Sequence, residues 1–311
     1  MTPRLQGLAG EPARIVRVDR GFCAVATRQG VATAVIPQKV DWSPATGDWA
    51  TVSGNPLTLA GIAPRSGVLR RRAPSGRREQ ILAANIDMVW IVLPLDRPIV
   101  PGRVERALVV AYDGGVTPRL VLSKADVAGA LDTAYATLDR VCAWVPRNTV
   151  AAPLDDGMEQ LHDQMTPGRA IALLGESGSG KSTLVNAIIG AQVRPTGDVR
   201  ARDRKGRHTT TSRELLPVPG GGLLLDTPGI RELGVLDATD GLAQAFPDVE
   251  SLLGACRYRN CSHAGEEGCA VAAAVDRGDL AGERWQRYQV LAAEAAAAHV
   301  SQGPLRPGRR S

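Results

Sequence analysis

Residues 169–189 read RAIALLGESGSGKSTLVNAII, and the rest of the chain is arranged around this stretch. The apolar run 170–174 predicts a buried strand, and Leu184, Val185 and Ile188 at helical spacing predict a helix after it. Between them, residues 175–182 fit the phosphate-loop pattern G-x-x-x-x-G-K-[ST] in the required strand–loop–helix context. That context disfavours the alternative of a Gly/Ser-rich loop that matches by chance. The stretch therefore predicts an α/β nucleotide-binding domain.

Each residue type in this loop has a chemical reason. The glycines allow a tight turn whose N–H groups point at phosphate oxygens, and the start of the following helix adds partial positive charge. Lys181 is expected to reach the outer phosphates and Ser182 to ligate Mg²⁺. The predicted nucleotide contacts of the loop are Gly175, Glu176, Ser177, Gly178, Ser179, Gly180, Lys181, Ser182 and Thr183.

The composition is that of a globular chain long enough for two or three domains, with 311 residues, 44% hydrophobic and 22% charged. No apolar run approaches the roughly 20 residues of a membrane span, and the first residues lack a signal-peptide core. We therefore expect a cytoplasmic protein without a membrane partner. A net charge of +5 permits a polyanionic partner, whereas 4% aromatic residues argue against base stacking as the main mode of contact.

The first part of the chain predicts a small β-domain. Strand patterns separated by turn signals cover residues 13–18, 22–27, 31–36, 49–52 and 67–70. Five short strands favour a barrel of the OB type, an interpretation that rests partly on the resemblance given below. Cys23 within this pattern is expected to be a buried apolar residue.

A basic stretch follows at residues 70–78, RRRAPSGRR. Its Pro and Gly predict a solvated linker or the edge of a hairpin. The alternative is a contact site for a phosphate backbone.

The middle of the chain alternates strands and helices, which predicts a doubly wound α/β sheet. Strands are expected at 88–93, 119–123, 142–150, 214–218 and 223–226, and helices at 101–112, 131–141 and 157–164. Cys142 is placed in the third of these strands and in the core. Residues 194–213 are polar and charged, which predicts a mobile loop.

A base-reading motif follows one of the buried strands. Ser123-Lys124-Ala125-Asp126 resembles the [NT]-K-x-D motif of GTPases. The Asp126 carboxylate can accept from guanine N1–H and the 2-amino group, whereas adenine has no donors at those positions. Lys124 can lie along the base plane by its aliphatic stem. Ala151 and Ala152, after the next strand, resemble the motif whose backbone N–H contacts the guanine carbonyl.

Three thiols and one imidazole crowd into the pattern Cys256-x4-Cys261-x-His263-x5-Cys269. This ligand set predicts one closed, tetrahedral zinc site of the structural kind. The alternative is a set of unrelated thiols. An alanine-rich helix is expected at 281–300, and residues 303–311 read as a basic, disordered tail.

The motifs stand in a rotated order, because the base-reading elements precede the phosphate loop. With residues 206–211, GRHTTT, the sequence DTPG at 226–229 and the Cys/His cluster, the chain resembles the ribosome small-subunit-dependent GTPase A family of bacterial circularly permuted GTPases. The resemblance implies an N-terminal OB-type β-barrel for RNA binding at 1–75, a circularly permuted P-loop α/β GTPase domain at 76–235, and a C-terminal zinc-binding helical domain at 236–311. It also implies GTP hydrolysis, stimulated by the small ribosomal subunit, in late maturation of that subunit, with rRNA contact. We expect a monomer.

The same resemblance supplies roles for the remaining residues. Asp226 would hold Mg²⁺ through water, and Gly229 would offer an N–H to the terminal phosphate. Thr210 is preferred over Thr209 and Thr211 as a further Mg²⁺ ligand, and the choice stays open. Lys181, Thr210 and His208 are the catalytic candidates. For His208 the alternative is a solvent-exposed loop histidine.

Two departures from the family pattern concern nucleotide affinity rather than base identity. Ser123 replaces an Asn, which predicts the loss of a hydrogen-bonded link between the base loop and the phosphate loop, and Ala151 replaces a common Ser.

No glutamine follows residues 226–229; Ile230 stands there, and a hydrocarbon cannot orient water. This predicts slow intrinsic hydrolysis.

Two other function classes remain open at this point. The first is an RNA-binding protein with a vestigial nucleotide pocket, against which the intact Lys181, Ser182 and Asp226 argue. The second is an ATPase or kinase, against which Asp126 argues.

Overall fold

The structure, a computed structural model, describes residues 5, 7–72, 79–127, 129, 131–190, 213–226 and 238–301. Within those ranges no helix combines the length and the apolar character needed to cross a bilayer. The tip of the basic stretch at 73–78, most of the loop at 194–213, and the tail at 303–311 lie outside the described residues.

The elements follow one another in the order barrel, hairpin, α/β sheet and helices. The strands are β1 Glu11–Val18, β2 Phe22–Thr27, β3 Gly30–Val35, β4 Trp49–Ser53, β5 Thr58–Ile62, β6 Leu69–Arg72, β7 Glu79–Ala83, β8 Met88–Pro94, β9 Thr117–Ser123, β10 Arg147–Thr149, β11 Ala170–Gly175, β12 Leu215–Pro217 and β13 Leu223–Asp226. The helices are α1 Pro101–Asp113, α2 Leu131–Cys142, α3 Glu159–His162, α4 Lys181–Ile189, α5 Thr239–Ala245, α6 Pro247–Leu253, α7 Ala270–Asp276 and α8 Gly282–Ser301, and a 3-10 turn covers Ala152–Leu154.

The first five strands close into a barrel in the order β1-β2-β3-β5-β4, which confirms the predicted fold of this region. Ile15, Cys23 and Val25 are fully buried inside it, as alternation predicts. Burial raises the pKa of the Cys23 thiol to about 11, as expected for a packing residue. The predicted strand at 67–70 is wrong as a barrel strand. The fifth strand is β5, whose short TLAGI sequence contains a glycine and gives little strand signal.

Residues of the basic stretch form a hairpin instead, because β6 pairs antiparallel with β7. This confirms the hairpin interpretation for the described part of the stretch. Arg70 Nη1 donates to Glu79 across the two strands at 3.4 Å.

The barrel is joined to the sheet by a tight backbone contact. Gly47 has φ +92°, and a Cβ there would lie 2.1 Å from the Ala84 carbonyl oxygen, so only glycine fits. Arg14 Nη2 donates to the Asn85 carbonyl at 3.0 Å, and Asn85 Nδ2 donates to the Gly47 carbonyl at 3.0 Å. These contacts orient the barrel relative to the next domain.

The central sheet has the order β10-β9-β8-β11-β13-β12 and is parallel except for β12 at its edge. Side chains of β8 alternate between two buried clusters: Val89 and Ile91 face the helices α1 and α2, whereas Trp90 and Val92 face α4. This is the predicted doubly wound arrangement. The expectation that Cys142 lies in a strand is wrong, because Cys142 ends α2 and β10 begins only at Arg147; the buried environment of Cys142 is confirmed.

The parallel strands bring their carboxyl ends to one edge of the sheet. Ser123 at the end of β9 lies opposite Pro94, and Gly175 at the end of β11 lies opposite Val92. Asp226 ends β13 opposite Leu173. Ligands bind at this edge in open α/β sheets, so the register gathers the motifs without regard to their order in the chain.

The C-terminal helices are attached to α1 by a buried ionic cluster. Glu105 of α1 is fully buried and accepts from Arg284 Nη1 at 2.9 Å and from Arg287 Nη2 at 3.1 Å. Arg284 also donates to both carboxylate oxygens of Asp248 on α6. A buried carboxylate with several charge-assisted partners makes α1 and the C-terminal helices one packed unit.

Candidate nucleotide site and metal-ligand cluster

The phosphate loop connects β11 to α4, as the sequence predicts. Gly175 must be glycine because a Cβ there would lie 2.5 Å from Ser179 Oγ and 2.9 Å from the Val92 carbonyl. Gly178 and Gly180 have φ angles of +73° and +88°, the left-handed conformation that glycine adopts without strain. The loop turns sharply at these points and ends at the start of a helix, which is the geometry of an anion site.

The Lys181 side chain folds over this loop. Its Nζ donates to the carbonyls of Gly175 at 2.7 Å and Glu176 at 2.8 Å. Burial lowers the pKa of Lys181, and the negative charges of Asp226 and Glu176 oppose that shift. The ammonium is thus held among backbone acceptors that a triphosphate can replace.

Ser123 joins the base loop to the phosphate loop. It is buried, and its Oγ donates to the Ser179 carbonyl at 2.7 Å. The expectation that this tie is lost with the Asn is therefore wrong, because a hydroxyl is long enough to reach the carbonyl here. Because C=O and N–H point in opposite directions across a trans peptide, the bond also turns the Gly180 N–H away from Ser123.

Removal of this hydroxyl is expected to weaken nucleotide binding. Ser123→Ala leaves the Ser179 carbonyl without its partner, and we expect the Kd for GDP to rise about fivefold. Calorimetric titration measures the change. Ser123→Asn restores a donor and is expected to bind GDP as the wild type does, whereas equal affinity of the Ala variant would show that the bond does not support the site.

The residues predicted to read the base lie at the same edge of the sheet. Lys124 adopts φ +62°, and the backbone N–H of Ala125 donates to the Val150 carbonyl at 3.2 Å. The Asp126 side chain is exposed and accessible to a ligand. The N–H of Ala151 donates to the Asp156 carbonyl at 3.0 Å, so this amide already has a partner within the protein. Ala152, at the start of the 3-10 turn, is the remaining amide of that motif.

A third loop, after β8, also reaches the site, although no motif pointed to it. Asp96 and Arg97 contact the base loop and the phosphate loop, and Arg103 of α1 donates to Glu176 at 2.7 Å. The sequence carries a signal for Asp96 and Arg97, because both follow the carboxyl end of the buried parallel strand β8 within three residues.

The four predicted metal ligands converge. One ligand atom each from Cys256, Cys261, His263 and Cys269 lies within 4.8 Å of the others. His263 Nδ1 lies 3.4 Å from Cys256 Sγ and 3.7 Å from Cys269 Sγ, distances that a tetrahedral ion with Zn–S near 2.3 Å would span. His263 reaches this position through a left-handed backbone with φ +59°.

Two of the three thiols accept backbone N–H bonds, whereas burial raises the pKa of the third, Cys261, to about 11. The N–H of Ala270 donates to Cys256 Sγ at 3.3 Å and lowers the pKa of that thiol, and the N–H of Ala272 donates to Cys269 Sγ at 3.4 Å. Glu266 accepts from the backbone N–H of Ala264 at 2.8 Å and also bonds Ser262, which closes the ligand loop. The residues present therefore fit a metal of the thiolate-binding kind.

Several predicted site residues lie outside the described residues: His208, Thr209, Thr210, Thr211 and Gly229. Asp226, at the end of β13, is described and lies one strand away from the phosphate loop.

Comparison with known proteins decides the family. The family model of RsgA GTPases matches residues 62–236. A small ribosomal subunit biogenesis GTPase RsgA from Streptomyces avermitilis is 41% identical over 291 residues, which cover 90% of this chain and 78% of that protein. This chain belongs to the RsgA GTPase family. Membership makes it a GTP hydrolase, and guanine nucleotide and Mg²⁺ are the ligands that the RsgA GTPase family implies.

Solved structures support the RsgA-type fold. YjeQ from Thermotoga maritima matches with a TM-score of 0.65 and 20% identity over 95% of this chain and 99% of that chain. YloQ, a circularly permuted GTPase, matches with a TM-score of 0.64 and 20% identity over 98% of this chain and 100% of that chain. The barrel, the permuted GTPase domain and the C-terminal cluster together are the architecture that the sequence predicted.

Proposed function

We propose that this GTPase acts on the small ribosomal subunit during its late maturation, and that the subunit stimulates hydrolysis of GTP to GDP and phosphate. The relatives of similar sequence are named for biogenesis of that subunit. The observation that supports the nucleotide part of the proposal is the Ser123–Ser179 bond, which links the proposed base-reading loop to the phosphate loop 56 residues along the chain.

The chain's own residues have separate roles in this reaction. Asp126 accepts from the guanine edge, Ala152 offers its N–H to the guanine carbonyl, and Lys181 with the loop amides holds the phosphates. Ser182, Asp226 and Thr210 would hold Mg²⁺, which supplies neutralisation of phosphate charge when bound. In-line attack then needs a positioned water, and Ile230 cannot position it.

His208 is our candidate for orienting that water on the ribosome. We expect His208→Ala to lower the subunit-stimulated kcat about a hundredfold with unchanged GDP affinity, because a positioned proton acceptor contributes at that level. The control is His162→Ala, which removes an exposed histidine at the end of α3. Stimulated hydrolysis at the wild-type rate in His208→Ala would exclude the role.

The barrel is our candidate for rRNA contact. Phe22 is 50% exposed, beside the exposed Arg20, and Arg28 lies exposed at the next turn. Arginines beyond both ends of β2 offer phosphate contacts and Phe22 offers one stacking surface, which are the kinds of group that OB-type barrels use on single-stranded nucleic acid. The basic stretch at 70–78 is a second candidate for phosphate contact.

The C-terminal cluster would hold one structural Zn²⁺, because four protein ligands leave no open position for a substrate. We expect a monomeric protein in the cytoplasm, where ribosomes mature.

One experiment tests the function. The full chain is assayed for hydrolysis of GTP and of ATP, each with and without purified small subunits. We expect slow GTP hydrolysis alone, at least tenfold faster hydrolysis with subunits, and no turnover of ATP. Turnover of ATP, or GTP hydrolysis that subunits leave unchanged, would contradict the proposal.

A further inference from the structure

The loop after β8 lies against both nucleotide-binding loops. Asp96 Oδ2 accepts from Lys124 Nζ at 2.6 Å, and Asp96 Oδ1 accepts from Arg97 Nε at 3.1 Å. Arg97 Nη2 donates in turn to the Gly178 carbonyl at 3.1 Å. Side chains of a third loop therefore connect the base loop to the phosphate loop, next to the Ser123–Ser179 bond.

The bond to Asp96 fixes the free end of a flexible side chain. A lysine stem has several rotatable bonds, and ordering it when a base arrives costs free energy. Asp96 orders the Lys124 ammonium before the base arrives, so that this cost does not weaken binding. The Lys124 bond also holds the pKa of Asp96 below its usual range, so the carboxylate is charged at neutral pH.

The bond from Arg97 fixes a peptide of the phosphate loop. The Gly178 carbonyl accepts from Arg97, and the N–H of the same peptide, on Ser179, donates to the Glu176 carbonyl at 3.2 Å. A peptide held at both of its polar groups keeps its orientation without a phosphate. The loop is thus preorganised from outside the motif.

The pair is a poor candidate for stabilising the fold. The side chains of Asp96 and Lys124 are each 30% exposed and that of Arg97 is 41% exposed, and ion pairs at such positions contribute little to folding. Its hydrogen bonds instead hold the two loops that a bound nucleotide must contact simultaneously.

We propose that Asp96 is a positioning residue for guanine nucleotides, holding Lys124 along the base and, through Arg97, the phosphate loop in its binding shape. The inference rests on the proposed nucleotide site. It predicts an effect on affinity and none on the chemical step, because Asp96 itself faces Lys124 and Arg97 rather than the phosphates.

The test is titration of GDP into the full-length chain. Asp96→Ala is expected to raise the Kd for GDP about tenfold, with kcat at saturating GTP and the melting temperature unchanged. Asp96→Asn keeps one acceptor oxygen but loses the charge and the second acceptor, and its Kd should lie between those of the wild type and Asp96→Ala. Asp163→Ala removes an exposed carboxylate before β11, far from the carboxyl edge, and should bind as the wild type does.

A double-mutant cycle shows whether Asp96 acts through Lys124. In a Lys124→Ala background the further change Asp96→Ala should raise the Kd less than it does in the wild type. The proposal would be overturned if Asp96→Ala bound GDP as tightly as the wild type does. It would also be overturned if the effects of Asp96→Ala and Lys124→Ala on the Kd were fully additive and Arg97→Ala left the Kd unchanged. A wild-type chain that fails to bind GDP would instead remove the nucleotide site itself, and this inference with it.

Discussion

Asp126→Asn is expected to change the base preference of the protein from guanine to xanthine. The carboxylate accepts two hydrogen bonds from guanine, at N1–H and the 2-amino group, whereas an amide presents one acceptor and one donor. Xanthine carries a carbonyl where guanine has the amino group, so the amide matches xanthine. We expect affinity for GDP to fall about a thousandfold, because in the bound complex the amide would face the guanine amino group with a donor and leave both groups unpaired.

Competition of GDP, XDP and ADP against a fluorescent guanine nucleotide measures this change. Asp132→Asn, the same substitution at an exposed position on α2 nearby, serves as control and should keep the guanine preference. Retention of GDP affinity in Asp126→Asn would mean that another group reads the base.

Loss of the metal is the second large effect that we expect. Residues 254–269 carry little apolar side chain, so the proposed zinc ion would supply much of the stability of the ligand loop. Cys261→Ser should lower the zinc content from one per chain to none and unfold this segment, because structural zinc contributes on the order of 10 kcal/mol to such sites. Elemental analysis gives the zinc content, and limited proteolysis shows the unfolding.

Cys23→Ala is the matched control, since it removes a buried thiol in the barrel and should leave the zinc content at one. A purified chain that contains no zinc, and that resists protease equally with and without chelator, would show that the cluster folds on its own.

The sequence predicted those parts of the molecule whose determinants are local. The phosphate loop has its strand, glycines and helix within 21 residues, and the Cys/His ligands fall within 14, so pattern and structure agree. Continuous apolar runs predict the parallel sheet. Its carboxyl edge brings the motifs together although their order in the chain is rotated.

The parts that sequence could not supply depend on distances between remote residues. Two such contacts are the bond from Ser123 to the Ser179 carbonyl and the bond from Lys124 to Asp96. Both form only when β8, β9 and β11 are in register. The short β5 carries little strand propensity and is held by its neighbours in the barrel. The prediction of a strand at Cys142 fails because an apolar run alone does not distinguish the end of a helix from a strand.

The proposed function requires that motifs in rotated order form one guanine-nucleotide pocket. A crystal structure of the full chain with Mg²⁺ and a non-hydrolysable GTP analogue tests it most directly. We expect the Asp126 carboxylate within hydrogen-bond distance of the guanine N1 and 2-amino nitrogens, with Lys181 Nζ moved from the loop carbonyls to the outer phosphates. A nucleotide bound elsewhere, or a base that lies away from Asp126 while Lys181 keeps its loop contacts, would contradict it.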